Sequence, residues 1–116
     1  MADTTFLYLF RGGETGSNQT PDEMQRIMQK WGAWIEGLSK EGHMRGGDPL
    51  EPNGKVLTGK SRTVTDGVFA EAKDVVGGYL LVAARDLAHA TELARGCPIF
   101  EAGGSVEVRG IRPMTP

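Results

Sequence analysis

A chain of 116 residues with thirteen basic and fifteen acidic side chains, a net charge of -2 and one cysteine is large enough to bury a core as one domain without disulfide staples. The near-balance of charge, with no basic block or stripe, excludes the usual electrostatic footprint of a nucleic-acid binder, and no apolar run approaches the ~20 residues of a membrane-spanning helix. The N-terminal residues lack the basic segment and apolar stretch of a secretory signal, so a cytoplasmic location is expected.

The chain opens on a strand over residues 4–11, in which Phe6, Tyr8 and Phe10 point one way and Leu7 and Leu9 the other. Both faces of that strand therefore need cover. A glycine-rich connection follows, and Thr20, Pro21, Asp22 and Glu23 then form a capping box with proline at the first helical position. Met24, Ile27, Met28, Trp31, Ile35 and Leu38 recur at helical spacing as one apolar stripe, and Gly42 suits a left-handed C-terminal cap. Gly32 and Gly37 weaken this helix, which points to close approach of the helix to a sheet. Trp34 lies beside the stripe and is a candidate subunit contact.

Residues 43–54 are rich in Gly, Pro and Asp and read as an irregular excursion with no sheet pairing. Residues 56–58 and 62–66, flanking Gly59, Lys60 and Ser61, predict a short hairpin. The next strand spans 77–84, with Tyr79, Leu81 and Ala83 on one face and Leu80, Val82 and Ala84 on the other, again apolar on both sides. Asp86 is a candidate N-cap for a helix ending near Gly96, with Leu87, Ala90, Leu93 and Ala94 as its buried side. Residues 105–112 predict a final strand, with Val106 and Val108 opposed to Glu107, Arg109 and Ile111.

This order of elements matches an α+β, ferredoxin-like (βαββαβ) antiparallel sheet with two helices on one face. In that layout the first and third strands are central, and those are the two with apolar groups on both faces. Helices cover only one face. A second copy of the chain is the simplest cover for the other, which predicts a homodimer with its sheets face to face.

The run DGVFAEAKDVVGGYLLV over residues 66–82, followed by a helix, Cys97-Pro98 and GGSVEVRGIRP, resembles the YCII-related (YciI-like) family, in particular its DGPF-type branch. The resemblance covers nearly the whole chain and implies a ferredoxin-like subunit that dimerises into an α+β barrel. It implies no particular reaction. The chain departs from the branch signature at Val68, where proline is usual, and at Gly110, which separates Arg109 from the expected proline. The histidine and aspartate pair proposed as acid-base groups in some relatives has no counterpart, because no histidine occurs in the first strand or early helix.

Asp66, Glu71 and Lys73 are candidate catalytic groups, since a carboxylate beside an ammonium at a cavity mouth can be tuned for proton transfer. Their bland alternative is a turn with exposed ion pairs. Strand alternation puts Glu107 and Arg109 on one face, either as part of a site or as an edge-strand device against misassociation. Arg11, in phase with Leu7 and Leu9, and Tyr79 are further candidate ligand-binding residues, against solvated-end and core alternatives. His43, His89 and Cys97 match no zinc spacing, so no metal or cofactor is expected; Cys97 reads as a small buried hydrophobe. The expected function is the binding of a small polar or anionic organic molecule between two sheets, with acid-base chemistry as its catalytic form. The alternative is a non-catalytic dimeric regulatory or protein-interaction module.

Overall fold

β1 (Thr4–Arg11) forms where alternation requires it, with Phe6, Tyr8 and Phe10 buried and Leu7 and Leu9 half-buried on the opposite face. In the computed structural model, which describes residues 3–12, 20–67 and 74–114, the elements that follow are α1 (Pro21–Lys40), β2 (Met44–Pro49), β3 (Lys55–Thr58), β4 (Thr63–Asp66), β5 (Val76–Ala84), α2 (Leu87–Ala94), a 3-10 turn (Pro98–Ala102) and β6 (Ser105–Gly110). Four strands form one antiparallel sheet in the order β2-β5-β1-β6, and β3 and β4 form a separate two-stranded sheet. β1 and β5 are thus the central pair, as the ferredoxin-like layout requires. The fold is α+β, with both helices on one face of the sheet.

The core lies between sheet and helices. Phe6, Tyr8, Phe10, Leu80, Val82 and Ala84 from the central strands meet Leu38, Trp31 and Trp34 of α1 and Ala90 and Ala94 of α2. Tyr8 is fully buried, and its hydroxyl donates to the Ala90 carbonyl, so the core satisfies the one polar atom it takes in there and ties α2 to β1. Trp34, the candidate subunit contact, packs half-buried against the core of its own chain: its indole stacks on Tyr8 at 6.2 Å and its Nε1 donates to the Leu93 carbonyl at 3.2 Å.

α1 starts and stops as its sequence dictates. Thr20 Oγ1 accepts from the Glu23 N–H while the Glu23 carboxylate accepts from the Thr20 N–H. At the other end Gly42 takes φ +80°, letting its own N–H reach Ser39 and that of His43 reach Leu38. The stripe joins the core only in its second half, through Trp31, Ile35 and Leu38, while Met24 and Met28 lie exposed. Gly32 and Gly37 face open space, so the expected close helix-to-sheet approach at these positions does not occur. Leu87, expected to be buried, is exposed at the first position of α2.

The main correction concerns residues 43–54. Met44–Pro49 is a true edge strand, paired with β5 from Met44 opposite Val82 to Pro49 opposite Gly78. Alternation does not reveal it because the strand reads MRGGDP, carries a bulge between Met44 and Gly46, and holds Gly46 and Gly47 at φ +142° and +145°. A Cβ on Gly47 would lie 2.3 Å from the Tyr79 carbonyl oxygen, so glycine allows the close passage along β5. The predicted hairpin is present as β3 and β4, one residue earlier at its start, with Arg62 in the turn at φ 56° and not in the strand.

Candidate functional site

β-Pairing decides which side chains share the sheet face that the helices leave open. One row runs Asp48, Tyr79, Leu9, Glu107 across the four strands, and the next runs Gly46, Leu81, Leu7, Arg109. Val106 and Val108 pair with Phe10 and Tyr8 on the helix side, so Glu107 and Arg109 do face away from the helices together. Leu7, Leu9 and Leu81 form an apolar strip there with polar groups at both flanks.

On the β6 flank, Glu107 sits between two guanidinium groups. Its Oε1 accepts from Arg11 Nε at 3.3 Å and Nη2 at 3.1 Å, and its Oε2 lies 3.7 Å from Arg109 Nη1. Arg11 also donates from Nη1 to the Asp74 carbonyl at 2.9 Å, which fixes its direction. The trio carries one net positive charge, and Arg109 is its most exposed member, with 67% of its side chain accessible against 40% for Glu107. On the β2 flank, Tyr79 donates to Asp48 Oδ2 at 3.4 Å. Asp48 was not recognisable as a site residue from the sequence, because it lies in the stretch that reads as irregular. The only local signal was the Asp-Pro step that ends the strand.

The structure separates Asp66 from this row. Asp66 ends β4 on the two-stranded sheet, exposed and ion-paired with Lys55 across the hairpin. Glu71 and Lys73 lie outside the described residues.

Among the described residues no three His, Cys, Asp or Glu side chains gather as a metal-binding group. His43 and His89 meet edge to face at 5.2 Å where α1 ends and α2 begins; His43 Nδ1 lies 2.9 Å from the Ala83 carbonyl and His89 Nδ1 accepts from the Arg85 N–H at 3.1 Å. They join elements behind the sheet and do not reach its open face. Cys97 is buried, and burial pushes its thiol up to about 11, with an N–H from Ile99 pulling weakly the other way. It is therefore protonated and shielded at neutral pH, unsuited to nucleophilic work. No helix among the described residues is long and apolar enough to cross a membrane.

A ferredoxin-like sheet with an open, half-apolar face bordered by an Arg-Glu-Arg trio and a Tyr-Asp pair defines the class: a two-layer α+β subunit whose uncovered face carries its polar chemistry. The YCII-related domain model matches residues 8–115, and the chain belongs to that family. A solved structure of similar fold is 5-chloro-2-hydroxyhydroquinone dehydrochlorinase from Burkholderia phenoliruptrix AC1100, in complex with 2,5-dihydroxybenzoquinone, at 19% identity and a TM-score of 0.50 over 94% of each chain. At that identity the likeness speaks for the fold alone. Among curated proteins no match is found.

Proposed function

We propose that the chain works as one domain in a homodimer, a dimeric α+β barrel in which two open sheet faces enclose a cavity for a small polar or anionic organic molecule. The observation that carries this reading is the row Asp48, Tyr79, Leu9, Glu107 with Arg109 beside it, on a face with no helix cover. Leu7, Leu9 and Leu81 are only half-buried there, and covering them is what a second sheet would do. Inside such a cavity Arg109 supplies the charge that attracts an anion, held in place by Glu107, which Arg11 fixes in turn. Tyr79 supplies a hydroxyl that both donates and accepts, oriented by Asp48. Acid-base chemistry, where present, falls to Asp66, Glu71 and Lys73. The Asp66 ion pair with Lys55 on the exposed hairpin counts against that residue. Residues 66–82 further support placement in the DGPF-type branch.

The test is a thermal-shift panel of small carboxylates, phenols and hydroxyquinones, 2,5-dihydroxybenzoquinone among them, the last chosen because the dehydrochlorinase of similar fold was solved with it. A ligand at a hundredfold excess over its Kd stabilises by about 2.7 kcal/mol. Arg109→Ala, Tyr79→Phe and Glu107→Gln should each reduce the shift of a ligand that stabilises the wild type. Full retention in all three removes the open face as the site, and sedimentation of the wild type as a stable monomer at micromolar concentration removes the dimer.

A further inference from the structure

We propose that Asn53-Gly54 is a site of spontaneous self-modification: the Gly54 backbone nitrogen attacks the Asn53 side-chain amide, converting it to aspartate and isoaspartate and loosening the base of the β3-β4 hairpin. This is independent of the open sheet face and of any dimer. Asn-Gly is the strongest short signal for a hairpin turn, yet this hairpin turns elsewhere, where the Arg62 N–H reaches the Gly59 carbonyl. Asn53 and Gly54 lie before β3, exposed and outside any helix or strand. The dipeptide therefore has no turn to make.

The reaction needs a neutral amide, a following nitrogen not held by a hydrogen bond, and room for that nitrogen to swing onto the side-chain carbon. Among the described residues the Gly54 N–H has no acceptor. The backbone tie before it is the Leu50 N–H on the Gly77 carbonyl, and the tie after it is the Gly54 carbonyl, which accepts from the Gly67 N–H at 2.7 Å. That carbonyl belongs to the next peptide unit, so holding it leaves the attacking nitrogen free. Nothing lies within 4 Å of a Cβ built on Gly54, and with no Cβ of its own the residue leaves the nitrogen uncrowded.

The hairpin base supplies a contrast. Asp66-Gly67 stands across from Asn53-Gly54 and Asp66 is likewise exposed, but there the Gly67 N–H is the one that donates to Gly54, and the Asp66 carboxylate is ion-paired with Lys55. A carboxylate is a poorer electrophile than a neutral amide, and a bonded N–H is slow to give up its proton. The chain's other asparagine, Asn18, precedes Gln19 and not glycine. Asparagine is among the thermolabile residue types, and the structure concentrates that lability at Asn53.

Hydroxide or a buffer base removes the Gly54 amide proton, and the nitrogen forms a bond to Asn53 Cγ. The Cγ–Nδ2 bond breaks and Nδ2 leaves as ammonia, giving a succinimide. Water then opens the ring at Cγ, restoring the peptide with aspartate at 53, or at the main-chain carbonyl, giving isoaspartate; no oxidant or reductant takes part. Either product adds one negative charge to a chain of net charge -2, close to Lys55, the partner of Asp66. Isoaspartate also inserts a methylene into the main chain directly before Gly54, whose carbonyl closes the hairpin base.

The experiment incubates the full-length wild type and Gly54→Ala at mildly alkaline pH, folded and in urea, and follows tryptic peptides 46–55 and 63–73 by mass spectrometry with fragmentation that distinguishes isoaspartate. Gly54 has open space at its Cβ and no positive φ, so the alanine variant keeps the fold while crowding the nitrogen. Aspartate and isoaspartate should accumulate at 53 in the folded wild type, at a rate within about threefold of the unfolded chain, and about tenfold more slowly in Gly54→Ala, on the order of 1.4 kcal/mol in barrier. Isoaspartate at 66 should form at least about tenfold more slowly folded than unfolded. No acid at 53 in the folded chain, equal rates in wild type and Gly54→Ala, or equal slowing of both sites by folding overturns the proposal. Modified protein, separated by anion exchange on its added charge, should exchange the Gly67 amide about tenfold faster than unmodified protein and than Asn53→Asp, which carries the charge without the extra methylene. Unchanged exchange there overturns the loosening of the hairpin base.

Discussion

The strand that alternation does not reveal is also where one methyl group should do the most harm. Gly46 and Gly47 share an unusual backbone, φ +142° and +145°, but differ in surroundings: nothing lies within 4 Å of a Cβ on Gly46, while one on Gly47 would meet the Tyr79 oxygen at 2.3 Å, Leu80 Cδ2 at 2.5 Å and Leu80 Cα at 2.7 Å. Gly46→Ala therefore carries the dihedral cost alone, about 1–3 kcal/mol. Gly47→Ala carries that cost and an overlap of about an ångström with backbone atoms, which only displacement of β2 from β5 can relieve. We expect more than about 4 kcal/mol for Gly47→Ala, a large part of the ~5–15 kcal/mol that holds a domain of this size together. Urea unfolding of both variants, followed by tryptophan fluorescence, separates the two terms because the dihedral cost is common. The variants proving equally stable would refute the close passage of β2 along β5, and with it the placement of Asp48 beside Tyr79.

The glycines of α1 should behave in the opposite way: Gly32 and Gly37 occupy exposed, open positions, and Gly32→Ala and Gly37→Ala should each stabilise by about 0.5–1 kcal/mol, read as a rise in Tm. Thr20→Ala removes the side chain that accepts from Glu23 and should cost about 1 kcal/mol in the same assay. Alkaline pH should destabilise the fold. Burial raises Cys97 to about 11 and Tyr8 to about 12, so the folded state holds these protons more tightly than the unfolded one. Their contribution is complete below pH ~8.5 and is lost as pH rises, over ~8.5–11 for Cys97 and ~10–12 for Tyr8. Urea midpoints at pH 8 and pH 10.5 should differ by less in Cys97→Ala than in the wild type; an undiminished difference would show that the thiol does not contribute.

The Arg11-Glu107-Arg109 trio was only partly legible in the sequence. That Glu107 and Arg109 share a face follows from the period of two along a strand, and that Arg11 joins Leu7 and Leu9 follows in the same way. Their meeting does not, because it depends on β6 lying against β1 in a register that places Glu107 opposite Leu9. The core packing of Trp34 was hidden for a related reason. Helical spacing locates it beside the stripe, but only the packing of α1 over Tyr8, Phe10 and α2 shows the stripe to be wide enough to include it.

What the sequence determined by itself was local and periodic: the central strands with two apolar faces, the capped start and glycine stop of α1, the N-cap of α2, and a run of motifs that marks the family. These features depend on neighbours within a few residues, where backbone sterics and hydrogen bonding act without distant partners. Only the tertiary structure decided that Met44–Pro49 is a strand, that Asp48 stands by Tyr79, and that Asp66 pairs with Lys55 away from the open face. Each of these requires a partner remote along the chain or, in the glycine strand, a backbone whose preference is set by the close passage of β5 and not by its own side chains.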